Sequence, residues 1–371
     1  MTSDAKQASR AGHEGGRARD NDTPDTTDRQ RASCLMSALA RLAGRRFLLI
    51  GRAGMDLYAD PAGTRTEDAT RFVSALGGSS ANIAVALVRL GCGASLVTCV
   101  SDDAIGRFCL NQLDHYGIDT THVRPVAGEM RTSLAVVETR IENCQSVIYR
   151  NNAADFAMTV ADVEAIPYAA YSGLIATGTA LAAEPSRSAA FRALELAREA
   201  GLPLILDLDY RPYSWTSAAE AAAICGRAAA LCDVIVGNDV EFGILAGADR
   251  LGPDCARSLI AGGASIVIYK MGEKGALTIT RDGERQSGIF PTRALKPTGA
   301  GDSFLGAFVA GLSDGLSVHE AVQHGSAAAA IVVGRVGCAP AMPTAAEIRA
   351  LVSGQAAPHP AERSTDAHRP A

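Results

Sequence analysis

Two hydrophobic periods take turns along the chain. Residues 46–51, Arg-Phe-Leu-Leu-Ile-Gly, are a short apolar run closed by glycine, the pattern of a buried strand. Residues 81–90 then place Ile83, Ala84, Leu87, Val88 and Leu90 at helical spacing, 95–100 return to a strand pattern, and 104–116 to a helical one. The beat continues with strand 174–177, helix 186–200, strand 204–207, helix 218–231, strand 234–236 and strand 265–269. Alternating strands and helices predict an α/β fold with a mostly parallel sheet covered on both faces.

Two segments leave this rhythm. Residues 55–76 are polar and β-branched around a Pro61-Ala-Gly63 turn, and 132–150 alternate over Leu134, Val136, Val147 and Tyr149 around Ile141-Glu-Asn143. Both predict hairpins projecting from the sheet. A lid beside a ligand site and an ordinary antiparallel extension share that pattern.

Composition narrows the class. The chain has 371 residues, 47% of them apolar and 20% charged, enough to bury a large core. Its net charge of −5 offers no basic field for nucleic acid or an anionic membrane. Nine cysteines include no C-x-x-C pair, and Cys92/Cys99 and Cys225/Cys232, each seven apart, fit neither a zinc ribbon nor a redox motif. Dispersed thiols of this kind are expected in a reducing compartment, the cytoplasm. The apolar run at 327–334 is too short to span a membrane, and the N-terminus lacks the apolar stretch of a secretory leader. Residues 1–32 and 355–371 hold little to bury and are expected to be disordered.

The chemistry concentrates in two glycine-rich segments. In Thr298-Gly-Ala-Gly-Asp302-Ser-Phe304 the glycines precede a helical run with Phe304, Leu305, Phe308, Val309 and Leu312 on one face. Backbone N–H groups at such a helix start form an anion cradle. Asp302 in the first turn is either a proton acceptor for a nucleophile or a plain helix cap. On the first reading the helix dipole is expected to lower its pKa. The second segment, Gly77-Gly-Ser-Ser-Ala-Asn82, lets a ligand approach the backbone, with Asn82 free to bond a polyol hydroxyl; a simple glycine turn is its plainer reading. A dinucleotide fingerprint would need glycine where Phe304 stands, and no P-loop, protein-kinase signature or G-x-S-x-G elbow is present. The seven histidines show no metal-binding spacing.

Taken in order, these segments resemble the ribokinase-like, PfkB-type carbohydrate kinases over residues 47–352. The family opens with G-G-x-x-x-N for the sugar, here Gly77, Gly78 and Asn82, and closes with G-A-G-D, here Gly299, Ala300, Gly301 and Asp302. Between them stand an N-x-x-E element, Asn238-Asp-Val-Glu241, and a G-x-x-G turn, Lys270-Met-Gly272-Glu-Lys-Gly275. Leu295-Lys-Pro-Thr298 before the last motif, Gly51-Arg-Ala-Gly-Met-Asp56, Tyr149-Arg-Asn-Asn-Ala-Ala-Asp155 and Asp207-Leu-Asp-Tyr-Arg211-Pro-Tyr-Ser-Trp215 look like the 5-dehydro-2-deoxygluconokinase branch. Thr298 departs from the family, which has an aromatic residue there.

The resemblance implies a three-layer α/β/α sandwich of the ribokinase type with a small β-sheet lid, formed by about 55–78 and 131–151, in a kinase domain spanning 46–352. It implies ATP and Mg²⁺ as cofactors, leaves a monovalent cation and a homo-oligomer open, and names a small-molecule sugar acid as the partner. Asp302 becomes the base, with Gly299, Ala300 and Gly301 as the anion hole. Asp56, Gly77, Gly78, Asn82, Arg150 and Arg211 hold the substrate. Asn238, Lys270, Gly272, Gly275, Thr298 and Ser326 serve ATP, and Glu241 serves magnesium through water. Small residues such as Ser326 equally suit close helix packing. Two guanidinium groups suit a carboxylate, which arginine binds through paired hydrogen bonds, although Arg211 could instead pair with Asp207 or Asp209. A 2-keto-3-deoxygluconate kinase, a fructokinase and a sugar-binding protein without catalysis stay open at this level; the intact Asp302 argues against the last.

Overall fold

In the computed structural model, which describes residues 39–354, the first apolar run is strand β1 (Arg46–Ile50). Leu48 and Ile50 enter one core while Phe47 and Leu49 enter another, so the strand needs cover on both faces. It pairs in parallel with β4 (Gly93–Ser101) on one side and β8 (Gly173–Thr177) on the other. Beyond β8 the parallel set continues through β9 (Leu204–Asp207), β10 (Val234–Asn238) and β11 (Ile266–Lys270), and β5 (Val123–Val126) lies outside β4. The expected disordered tails, 1–32 and 355–371, lie outside the described residues.

Helices fill both outer layers. On the Leu48 side lie α3 (Val160–Glu164), α4 (Ser186–Glu199), α5 (Ala218–Ala229), α6 (Asp239–Ala246) and α7 (Gly252–Ala261). On the Phe47 side lie α1 (Ser79–Arg89), α2 (Ala104–His115), α8 (Ala300–Ser313) and α9 (Val318–Val333), with α10 (Ala345–Val352) packed behind α8 and α9 through Ile348, Ala307 and Ala327. This is the three-layer arrangement the alternation predicts.

The two irregular segments do more than project. The first forms β2 (Gly54–Asp60) and β3 (Arg71–Gly77), the second β6 (Leu134–Val137) and β7 (Ser146–Tyr149), each an antiparallel pair. Parallel pairing of β2 with β6 joins them into a separate four-stranded sheet. One face, with Tyr58, Ala75, Ala135 and Val137, packs around Cys338. Phe72, Val147 and Tyr149 lie exposed on the same strands. The large sheet departs from the mostly parallel expectation at one edge, where β12 (Ala276–Thr280) and β13 (Gly283–Ser287) run antiparallel beyond β11. β13 reads Gly-Glu-Arg-Gln-Ser, and an exposed edge strand with no apolar residue leaves no periodic trace.

Candidate active site

Five strands of the parallel set deliver polar residues at their carboxyl ends, where open α/β sheets hold ligands. β1 leads to Arg52 and Asp56, β8 to Thr179, β9 to Asp209 and Arg211, β10 to Asn238 and Glu241, and β11 ends on Lys270. The N-termini of α1 and α8 face the same edge, bringing Asn82 and Asp302 together: Asn82 Nδ2 donates to Asp302 Oδ2 at 2.8 Å.

The turn before α8 requires its first glycine twice over. Gly299 has φ of +85°, and a Cβ there would stand 2.9 Å from Cys338 Sγ and 3.2 Å from Val332 Cγ1. No side chain caps this helix, so the amides of Ala300, Gly301 and Asp302 have no intrahelical or capping partner. The cap reading of Asp302 thereby falls away. The expected lowering of its pKa is also corrected: the value is pushed up to about 6, because loss of hydration outweighs other influences and the neighbouring Asp209 adds to it. The Asn82 hydrogen bond, Arg211 and Lys270 pull the other way without prevailing. A carboxylate with that pKa, next to bare amides, can take a proton from a hydroxyl while the amides hold a developing anion.

Gly77 and Gly78 serve close approach. A Cβ on Gly77 would overlap the Asp56 carboxylate, and one on Gly78, whose φ is +96°, would overlap the Arg52 carbonyl. Asp56 is buried and accepts from the Tyr58 hydroxyl at 3.0 Å. Burial raises its pKa; Arg52, Tyr58 and Lys296 counteract. The Oδ1 of Asn82 is buried with no partner, so the acceptor expected for a polyol hydroxyl remains free.

The two arginines differ from each other. Arg150 is buried, pairs with Asp155, and donates to the Thr179 carbonyl at 3.0 Å and to Ser214 Oγ at 3.1 Å. Only its Nε lacks a partner among the guanidinium nitrogens, so much of its bonding capacity is structural. Arg211 pairs with Asp209 at 2.8 Å, one of its two foreseen alternatives, yet keeps 40% side-chain exposure. Tyr213, 53% exposed, lies where Arg52, Arg150 and Arg211 all favour its ionised form, while burial raises its pKa more than they lower it. The residues missed by sequence reading include Arg52 and Tyr213. Both lie inside quoted strings, Gly51-Arg-Ala and Arg211-Pro-Tyr, but no spacing marks them.

On the other flank, Lys270 Nζ stands 3.3 Å from where a Gly301 Cβ would be. Asn238 and Glu241 form a capping box on α6: Asn238 Oδ1 accepts from the Glu241 amide at 2.9 Å, and Glu241 accepts from the Asn238 amide at 2.8 Å. Glu241 also accepts from the Tyr210 amide at 3.2 Å. Around them gather Asp207, Asp209 and Asp302, facing Lys270 and Arg211. Burial and the neighbouring carboxylates push Asp207 well above the usual carboxylate range, Lys270 opposing. Among the described residues no three acidic, histidine or cysteine side chains are grouped to hold a metal ion by themselves. The surplus of buried carboxylate does fit a magnesium ion carried by phosphates and water, the usual habit of that ion.

Gly272 and Gly275, both with positive φ, shape the turn from β11 to β12, where a Gly275 side chain would strike the Ser287 carbonyl. Thr298 Oγ1 is buried without a partner. Ser326 is buried in α9 beside Gly325, whose Cβ would come within 2.9 Å of the Phe304 carbonyl, so this stretch does serve close packing of α9 on α8.

Known proteins resemble the chain over most of its length. The pfkB family carbohydrate kinase profile matches residues 45–345. A 5-dehydro-2-deoxygluconokinase of Photobacterium profundum is 39% identical over 302 residues, covering 80% of this chain and 91% of that protein. Among solved structures, a PfkB protein from a Polaromonas species superposes with a TM-score of 0.70 at 27% identity, covering 80% of this chain and 98% of its own. A Vibrio cholerae fructokinase bound to fructose, ADP and a calcium ion gives 0.73 at 25% identity, covering 83% and 99%.

Proposed function

The chain belongs to the pfkB family of carbohydrate kinases, and we propose that it transfers the γ-phosphoryl group of ATP to the terminal hydroxyl, on carbon six, of 5-dehydro-2-deoxy-D-gluconate. The observation that carries this reading is the 2.8 Å contact between Asn82 and Asp302, which joins the sugar segment to the carboxylate at the bare helix N-terminus.

Asp302 accepts the proton of the attacking hydroxyl as its oxygen bonds to phosphorus and the bond to the ADP oxygen breaks. Asn82 holds Asp302 in place and offers Oδ1 to a substrate hydroxyl. Asp56, set into the space left by Gly77, accepts from a second hydroxyl. The amides of Ala300, Gly301 and Asp302, with Lys270 beside them, neutralise charge on the transferring group. Arg211, with Arg150 held behind it through Ser214, faces the carboxylate end of the sugar acid. Magnesium bound to the nucleotide would supply charge neutralisation at the phosphates, held through water on Glu241 and the buried carboxylates around it. The four-stranded sheet, closing as a lid, excludes water and limits idle ATP hydrolysis.

The test is ADP release from ATP and magnesium with 5-dehydro-2-deoxygluconate, 2-keto-3-deoxygluconate, fructose and ribose side by side. Turnover of the first well above the rest is expected. Preference for fructose or ribose would return both arginines to structure, and turnover of 2-keto-3-deoxygluconate alone would move the substrate to another sugar acid.

A further inference from the structure

Lys296 is wholly buried, with 0% exposure. Its ammonium donates to the Thr298 carbonyl at 2.5 Å, and it makes no ion pair among the described residues. An ammonium carries three donors, so two have no protein partner there. A buried cation so poorly matched is unfavourable for folding, and an apolar side chain of similar volume would serve the core as well or better. Burial lowers the pKa of Lys296, while Cys338, Asp302 and Asp56 draw it back up.

Its position explains why a charge is tolerated. Leu295 and Lys296 donate their amides to the Val333 carbonyl at 2.6 and 3.2 Å, so the lysine stands on the end of α9. From there it reaches the residue that opens the anion-binding turn. In a planar trans peptide the carbonyl and the following N–H point in opposite directions. A Thr298 carbonyl drawn onto the ammonium therefore aims the Gly299 amide away from Lys296. With Lys270 against Gly301, the turn has an amine at each end. Cys338 lies against Gly299 with its Sγ 3.1 Å from the Tyr58 hydroxyl, which donates to Asp56, so the same pocket ties the turn to the sugar side.

We propose that Lys296 is a positioning residue of phosphoryl transfer: it fixes the Thr298 carbonyl, sets the orientation of the turn, and places an ammonium group beneath it. The proposal rests on reading residues 298–302 as the phosphoryl site. That charge acts most strongly when negative charge is greatest on the transferring group, so its removal lowers kcat more than substrate affinity.

The experiment compares K296M, K296A and, as a control, D302N in the full chain, by thermal melting and by steady-state kinetics with the preferred sugar acid. K296M is expected to melt at or above the wild-type temperature, lose about 10²-fold in kcat, and keep its sugar KM within about threefold. K296A opens space beside Thr298, and ammonium or methylammonium chloride is expected to restore its kcat by about tenfold, with tetramethylammonium, too large for that space, giving no recovery. A K296M enzyme with near-wild-type kcat would overturn the proposal, as would failure of both variants to fold. K296A that answers to no cation would remove the electrostatic role. If D302N also turned over normally, the reading of the turn itself would be at fault; loss in D302N beside full activity in K296M would sink the lysine's role alone.

Discussion

Replacing Asp302 with asparagine separates catalysis from stability, because the two should move in opposite directions. The carboxylate is pushed from an ordinary value near 3.8 to about 6, chiefly by loss of hydration. Each pKa unit corresponds to about 1.4 kcal/mol, so the ionised side chain disfavours folding by at most about 3 kcal/mol. The sign follows from proton binding: the folded state binds this proton more tightly than the unfolded chain. The penalty is therefore fully present above about pH 6 and vanishes as pH falls below the unfolded value. Asparagine never ionises, and its carbonyl oxygen can still accept from Asn82. At the entropy of unfolding usual for a chain of this length, 3 kcal/mol corresponds to roughly 5 °C in Tm. D302N should melt up to that much higher than wild type at pH 8, with the gap closing near pH 4, and lose about 10²–10⁴-fold in kcat. Differential scanning fluorimetry across that range, with ADP-release kinetics at pH 8, reads both. A D302N protein that is less stable at pH 8 would refute the desolvation account, and one that keeps wild-type turnover would refute the base assignment.

The same carboxylate fixes the acid limb of the rate profile: kcat/KM should rise through about pH 6 as Asp302 ionises and then level off, and a profile flat from pH 5 to 8 would place the base elsewhere. Gly77→Ala, whose methyl would overlap the Asp56 carboxylate, should lose about 10²-fold in kcat/KM for the sugar while the protein stays folded, as checked by circular dichroism and initial rates. Arg150→Ala leaves Asp155 buried without its cation, for an expected loss of about 3–5 kcal/mol in denaturant unfolding. Pairing R150M with D155L should recover most of that stability but leave the preference for a hexonate over the matching neutral ketose reduced; recovery of both would make Arg150 purely structural.

What the sequence disclosed follows the physics of periodicity. A strand apolar on both faces, such as Phe47-Leu-Leu-Ile50, and helices with one apolar stripe, such as 81–90, announce themselves locally. The β12–β13 hairpin is less plain, because its outer strand is exposed and polar, which leaves the short run Ala276–Thr280 and the Asp282-Gly283 pair at the bend as its local signals. At the site, glycines and Asp302 were legible as a motif, but their partners were not. Asn82 and Asp302 are 220 residues apart, and Arg150 reaches Ser214 across 64. Asp302 was expected to feel mainly the helix dipole, whereas tertiary packing around its carboxylate reverses the direction of the shift. Dipoles act along one element and can be inferred from it; desolvation depends on everything that closes over the group.

That distinction explains the charge pattern of the whole site. Asp56, Asp207 and Asp302 are all raised, and Lys296 is lowered, so burial disfavours the charged form of each. A chain selected for stability alone would replace such groups with apolar ones. The charges are also sorted in space: Arg52, Arg150 and Arg211 all act on Tyr213, the acidic group lies at the ends of β9 and β10, and amines stand at both ends of the 298–301 turn. On the proposed reading, a sugar acid brings negative charge to Arg150 and Arg211, a phosphoryl group brings it to the turn, and a divalent cation would answer the carboxylates. On that reading Lys296 and the carboxylates around Glu241 meet opposite charge in the complex, whereas Asp56 and Asp302 meet hydroxyl groups, so that binding and catalysis use groups whose burial the fold alone disfavours.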